Sequence, residues 1–315
     1  MSPGPAILAI GGAHIDRRGV IAGAYRPGAS NPGAMREEVG GGAFNALRNA
    51  CLIGASGAML SVRGGDAAGW LVEKAIAEAK IEDLSATFLD RATPSYTAIL
   101  EESGELVCGF ADMALYEQAF DKQLRRHPFR DALGRASGIL TEANLPQTAL
   151  ERLAGSIDAR PLFAIGVSPA KILRLKPILG SFAVLFMNRN EACAITGLAL
   201  GASDDQLIAA LDAAHLARAV VTAGAGHLLL LDNGQPAILA PPRTPDVRDV
   251  TGAGDSLAGV TMARMLQGLD FCEAVRHGIA AASLTIQSET VVANFGETEL
   301  LNRLADVPEV TRSLK

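Results

Sequence analysis

Aromatic residues make up only 4% of this 315-residue chain, with a single tryptophan. Base-stacking platforms for single-stranded nucleic acid therefore have little to be built from. Charge is also sparse, at 20% of residues, and 28 Lys+Arg against 34 Asp+Glu leave a net charge of -6. No stretch gathers a block of like charges, which speaks against a nucleic-acid groove or an anionic membrane surface as partner. The four cysteines, Cys51, Cys108, Cys193 and Cys272, stand far apart with no C-x-x-C pair, so neither a zinc site nor a disulfide framework is expected. No apolar run approaches the ~18 residues of a membrane span, and no charged segment precedes the first short apolar run. The expectation is a cytoplasmic protein whose partner is a small molecule.

What the chain has is apolar residues, 49%, and 33 glycines. That is enough to bury a large core and to make many tight turns. Ala6 to Ile10 reads as a buried strand stopped by Gly11-Gly12. Val20 to Glu38, rich in Gly, Pro, Ser and Asn, reads as loop or short irregular strand. Gly40-Gly41-Gly42 opens a helical pattern over Phe44 to Ile53 that Gly54 closes. Another helix is expected over Gly69 to Ala79. Ser95 to Leu100 and Leu106 to Phe110, around a polar turn, read as a β-hairpin suited to a small sheet over a cleft. Gly138–Leu140, Leu162–Val167, Ala183–Met187, Ala219–Thr222 and His227–Leu231 are strand-like runs with helical stretches between several of them, the pattern of βαβ units and a mainly parallel sheet covered on both faces. Ser256 to Leu269 and Ala274 to Ile286 read as buried helices.

The sharpest motif is Asp249-Val250-Thr251-Gly252-Ala253-Gly254-Asp255. Its glycines let backbone N–H groups converge at a helix start, where the helix dipole favours a phosphate. Asp255 beside such a cradle is a sufficient core for phosphoryl transfer, as the base that takes a hydroxyl proton. An aspartate at a helix start also serves as a mere cap, and that alternative stays open on spacing alone. The chain has no G-x-x-x-x-G-K-[ST] and no G-x-G-x-x-G, which disfavours a P-loop and a dinucleotide oxidoreductase.

Gly252-Ala253-Gly254-Asp255 late in the chain, with Gly40-Gly41 and Asn45 near its start, resembles the signatures of the ribokinase-like, or PfkB, carbohydrate and nucleoside kinases. The resemblance implies an α/β fold in three layers, α/β/α, with a mainly parallel central sheet. It implies one kinase domain over residues 1–315, with a small β lid from about 16–38 and 93–113. It implies Asp255 as base, with Gly252, Ala253 and Gly254 as anion hole, and Asp16, Gly41 and Asn45 holding sugar hydroxyls. Asn188 and Glu191 match the family's N-x-x-E element, which organises Mg²⁺, with Glu191 acting through water; by itself that spacing is more often a surface-helix pattern. Thr222, Gly224 and Gly226 occupy the nucleotide turn, with Thr251 beside the phosphates, so ATP is the implied phosphoryl donor. Asp249 stands near the family's monovalent-cation site, which points to K⁺. Ala43, Ile165-Gly166 and the Gly226-His227 pair depart from the usual pattern, and His227 reads as a strand-entry residue.

Within the family, Ser30-Asn31-Pro32-Gly33, Ser95-Tyr96, Asp112-Met113 and Glu142-Ala143-Asn144 resemble the pseudouridine kinases. That subgroup implies Asn31 and Asp112 as substrate contacts, although Asn-Pro-Gly is also intrinsically turn-forming. The expected activity is ATP-dependent phosphorylation of a ribosyl primary hydroxyl, with ribose, fructose or adenosine as other acceptors. A non-catalytic sugar or nucleoside sensor is the alternative. A lid sheet with an exposed edge favours a homodimer.

Overall fold

In a computed structural model, residues 4–312 are described. In chain order the strands are β1 (Ala6–Ile10), β2 (His14–Ile21), β3 (Gly33–Gly40), β4 (Ser56–Leu60), β5 (Val62–Gly64), β6 (Glu82–Asp83), β7 (Ala86–Phe88) and β8 (Ser95–Leu100). They continue with β9 (Leu106–Asp112), β10 (Gly138–Glu142), β11 (Leu162–Ile165), β12 (Phe182–Asn188), β13 (Arg218–Thr222), β14 (Leu228–Asp232) and β15 (Gln235–Leu239).

Nine of them form one sheet in the order β15-β14-β13-β12-β11-β10-β1-β4-β6. It is parallel from β6 to β13, and β14 and β15 add an antiparallel edge. Buried parallel strands need apolar side chains on both faces, and β1 shows why. Ile7 and Ala9 enter one core while Leu8 and Ile10 enter the other. Helices Gly42–Leu52, Ala253–Leu266 and Phe271–Thr285 cover the first face. Helices such as Ala114–Gln123, Gln147–Ala154 and Asp204–Ala213 cover the second. The result is the expected three-layer α/β/α arrangement. Among the described residues no helix is long and apolar enough to cross a membrane.

A second sheet, ordered β3-β2-β8-β9, stands apart from the central one. The hairpin of β8 and β9 turns at Glu101–Glu105 as its residues predict, but β8 also pairs in parallel with β2. Here the expectation of loop or irregular strand over Val20 to Glu38 is corrected. Only the segment between β2 and β3 is irregular, and Gly33–Gly40 is a full strand registered against His14–Ile21. Its residues are exposed along almost their whole length, so no hydrophobic alternation marks it. Backbone pairing with β2 decides its structure.

Candidate active site

The parallel strands β1, β10, β11, β12 and β13 end at one edge of the sheet, and the chain emerging there carries the polar groups. Ligands of open α/β sheets bind outside these carboxyl ends. Helix Ala253–Leu266 begins over the same edge. Gly252, its N-cap, is left-handed at φ 80, and a Cβ there would overlap the Val291 carbonyl oxygen. No side chain caps this terminus; the Ala253 N–H reaches back to the Val250 carbonyl at a long 3.4 Å, while that of Gly254, in the first turn, has no intrahelical acceptor. Asp255, in the first turn, lines a cleft of about 180 Å³ with Gly254, Thr222, Asn188 and Glu191.

Asp255 is held from the other half of the chain. Asn45, on helix Gly42–Leu52, donates from Nδ2 to Asp255 Oδ2 at 2.9 Å. This helix reaches Asp255 because Gly259 lets the two helices touch: a Cβ at Gly259 would overlap the Ala46 carbonyl. Arg48, one turn further on, donates to Asn45 Oδ1 and the Val39 carbonyl and lies over the Phe44 ring. The Asn45 amide thus has both ends fixed. Burial pushes the Asp255 carboxyl up to about 7; the negative charges of Glu142 and Asp16 add to this, while the Asn45 hydrogen bond and Arg48 oppose it. Burial in turn lowers the Arg48 guanidinium to about 10.

Glu142, the last residue of β10, is wholly buried. It accepts from the Gly12 N–H at 2.8 Å, the Ala43 N–H at 2.6 Å and Asn144 Nδ2 at 2.6 Å. It fastens the turn after β1 to the start of helix Gly42–Leu52, whose N-cap is Gly41 at φ 112. Lys171 closes the network on Asn144 Oδ1, and burial lowers its ammonium pKa.

Asp16 projects from β2, with Oδ1 3.2 Å from His14 Nε2. His14 Nδ1 meets the fully buried Tyr116 hydroxyl at 3.0 Å. Asp16 lines a second cavity, of about 430 Å³, with Arg18, Glu38, Tyr96, Asp249 and Thr251.

The fold therefore gathers Asp255, Gly254, Asn188, Glu191 and Thr222 around one cleft, with the buried Asn45 behind it on Asp255, and Asp16, Asp249 and Thr251 around a second cavity. Other expected residues stand apart. The Asn31 side chain bonds only Arg26 and Ala29 of its own loop, closing a turn. Asp112 is exposed at the end of β9, opposite Ser95. Gly224, left-handed at φ 60, and Gly226 form the exposed turn after β13. His227 there is tied to Asp204 at 2.7 Å.

Asn188 and Glu191 form a complete capping box on helix Arg189–Thr196. Glu191 accepts from the Asn188 amide and backbone, and returns its own N–H to Asn188 Oδ1 at 2.9 Å. The carboxylate is buried and its pKa is raised by that burial. Oxygen donors beside a phosphate-sized cleft fit a hard cation such as Mg²⁺ held through water.

Asp249 differs. Its Oδ2 accepts from Arg18 Nη1 at 2.5 Å and its Oδ1 from the Thr251 N–H at 2.9 Å, while Thr251 Oγ1 accepts from Arg18 Nη2. The hydrogen bonds to Thr251 and Arg18 and the charge of Arg18 outweigh burial and hold its carboxyl below the usual range. These oxygens converge on a guanidinium and an amide, so they do not fit the K⁺ expected beside Asp249.

Sequence reasoning passed over Arg18, Arg48, His14, Tyr116 and Lys171, and quoted Glu142 without a role. A glutamate ending the apolar run Gly-Ile-Leu-Thr-Glu was a signal, since a carboxylate at such a place needs buried donors. His14 and Asp16, two apart on a strand, share a face.

Similarity to known proteins runs over nearly the whole chain. Residues 5–296 match the profile of the pfkB family carbohydrate kinase. The pseudouridine kinase of Escherichia coli K12 is 28% identical over 287 residues, covering 90% of this chain and 91% of its own. A carbohydrate kinase from Agrobacterium tumefaciens superposes with a TM-score of 0.85 at 42% identity, covering 98% of this chain and 99% of that one. A ribokinase of Arabidopsis thaliana complexed with ribose and ATP shares the fold, with a TM-score of 0.83 at 19% identity over 96% of this chain and 99% of that one. Matched to that family over residues 5–296, the chain belongs to the pfkB family of carbohydrate kinases and is an ATP-dependent phosphotransferase acting on a sugar hydroxyl.

Proposed function

We propose that this kinase phosphorylates the primary hydroxyl of a ribosyl group and that its substrate is pseudouridine, giving pseudouridine 5'-phosphate. The observation that carries the reaction is Asp255: a half-buried carboxylate pushed up to about 7, held by Asn45, at a helix start with N–H groups to spare. A base with a pKa near the working pH balances ionised fraction against proton affinity. As the hydroxyl oxygen bonds to the terminal phosphorus of ATP, the bond to ADP breaks, ADP leaves with that electron pair, and the hydroxyl proton passes to Asp255. Gly252 sets the turn that aims the Gly254 N–H at the transferred oxygens, joined by the Ala253 N–H when it exchanges its long bond to the Val250 carbonyl for them. Asp16, Gly41 and Asn45 hold the sugar. Thr222, Gly224 and Gly226 take the nucleotide, with Thr251 beside its phosphates.

Mg²⁺, organised by Asn188 and Glu191, supplies neutralisation of phosphate charge when bound. The small sheet closes as a lid over the acceptor cavity and excludes water. Asn31 joins the substrate only by exchanging its turn bonds for it, and Asp112 reaches it from the end of β9. The choice of pseudouridine rests on the similarity to the Escherichia coli enzyme and on the short motifs around Asn31, Ser95 and Asp112. In a homodimer, the lid edges of two copies pair.

ADP release measured with pseudouridine, uridine, adenosine, ribose and fructose tests this. We expect pseudouridine to give the highest kcat/KM. A higher value on another acceptor moves the substrate assignment and leaves the kinase. Tight binding with no ADP on any of them favours a sensor.

A further inference from the structure

Arg18 joins the small sheet to the segment leading into the proposed anion hole. It rises from β2, two residues beyond Asp16 on the same strand face. Its guanidinium takes both Asp249 Oδ2 and Thr251 Oγ1, while the Thr251 N–H closes back on Asp249 Oδ1 at 2.9 Å. The segment so bound runs directly into Gly252, whose left-handed turn is wedged against Val291. Arg36, Glu38 and Glu289 line the same cavity. A planar guanidinium is permanently charged and offers donors in a fixed fork, so one side chain both orients the Asp249–Thr251 segment and neutralises its carboxylate.

We propose that Arg18 is a positioning residue that does, as a built-in cation, what a bound monovalent cation would do at Asp249, and that the protein neither binds nor needs K⁺ there. A mobile ion could compete for these oxygens only by displacing a charged fork held at two points. The charge also arrives with the small sheet, so ordering of the segment before Gly252 is coupled to the position of the strand that carries Asp16. The inference builds on the kinase reading for its kinetics, but its cation arm does not depend on turnover.

The first arm is thermal unfolding of the full chain in about 100 mM KCl, NaCl or tetramethylammonium chloride, because an ion that binds only the folded state raises Tm by mass action. Wild type should show the same Tm in all three salts, and Arg18→Ala should show a rise specific to K⁺. The second arm is ADP release. Wild-type turnover should be indifferent to K⁺. Arg18→Ala should lose on the order of 10-fold or more in kcat in tetramethylammonium, with little change in the KM for the acceptor. Added K⁺ or guanidinium ion should restore part of the loss, and Arg18→Lys should retain more of it than Arg18→Ala. Rescue by a small cation is a response that a merely structural arginine would not give. A saturable K⁺ rise in the wild-type Tm overturns the proposal. So does an Arg18→Ala protein, or Arg18→Lys if the alanine variant does not fold, that responds to K⁺ no more than wild type. Absence of ADP from the wild type on every acceptor would strike at the kinase reading and leave the unfolding arm to decide this one.

Discussion

In the proposed mechanism, Asp255 is where chemistry and stability oppose each other. Its carboxyl titrates near 3.8 when free and at about 7 in the fold, so between those values the folded state keeps a proton that the unfolded chain has released. Stability therefore falls as pH rises through that window, and the full cost is present above it. Asp255→Asn should leave ligand binding largely intact and cut kcat by about 10²–10⁴. The same variant should be more stable than wild type at pH 8 by on the order of 2–4 kcal/mol, with the gap closing toward pH 4 in denaturant titrations. Wild-type kcat/KM should rise with pH through about 7 as Asp255 ionises; a rate flat across that range would remove it as the base. Glu142→Gln tests the neighbouring charge. Glu142 holds the Asp255 pKa up, so its neutral variant should move the acidic limb of the rate profile downward. Turning an amide NH₂ toward the Gly12 or Ala43 N–H should also cost about 1–3 kcal/mol of stability.

In the proposed mechanism transfer depends on the start of helix Ala253–Leu266, and its two glycines do different work. At Gly252 the backbone is left-handed and a Cβ would strike Val291, whereas at Gly254 the space is open and faces the cleft. Gly252→Ala should therefore destabilise the fold by about 1–3 kcal/mol through backbone strain and that overlap. Gly254→Ala should keep or slightly raise stability, since alanine favours helix by up to about 1 kcal/mol, while turnover falls because the methyl enters the cleft. Equal losses of Tm in the two variants would contradict this account. The capping box of Asn188 and Glu191 shows how an element can hide a site. The residues that cap the helix also line the cleft, so the capping and metal-organising readings of N-x-x-E are compatible.

At the scale of the whole molecule, the small sheet leaves β3 and β9 as unpaired edges and exposes Met35, Leu106 and Phe110. Exposed edges with apolar side chains invite pairing, so sedimentation should find a dimer that Phe110→Lys weakens; a wild-type monomer at every concentration would refute the pairing. Much of this architecture was legible in the chain. The buried strands, the two apolar helices and the Gly252–Asp255 motif are local patterns, written in hydrophobic runs and in glycines that few other residues can replace. Strand β3 was not legible, because its exposed residues carry no alternation and its partner lies before it across a loop. Nor were the roles of Arg18, Arg48, His14 and Glu142, whose meaning lies in partners as far away as Asp249, Asp255, Tyr116 and Ala43. Sequence by itself determined the alternation of strands and helices and the place of the Gly252–Asp255 motif at a helix start, and through that motif's resemblance to a family the class of chemistry, since these follow from periodicity and from residues adjacent in the chain. Only the tertiary structure decided which charges face one another and what holds Asp249, because electrostatics and hydrogen bonding act through space at a few ångströms, a distance that separation along the chain does not record.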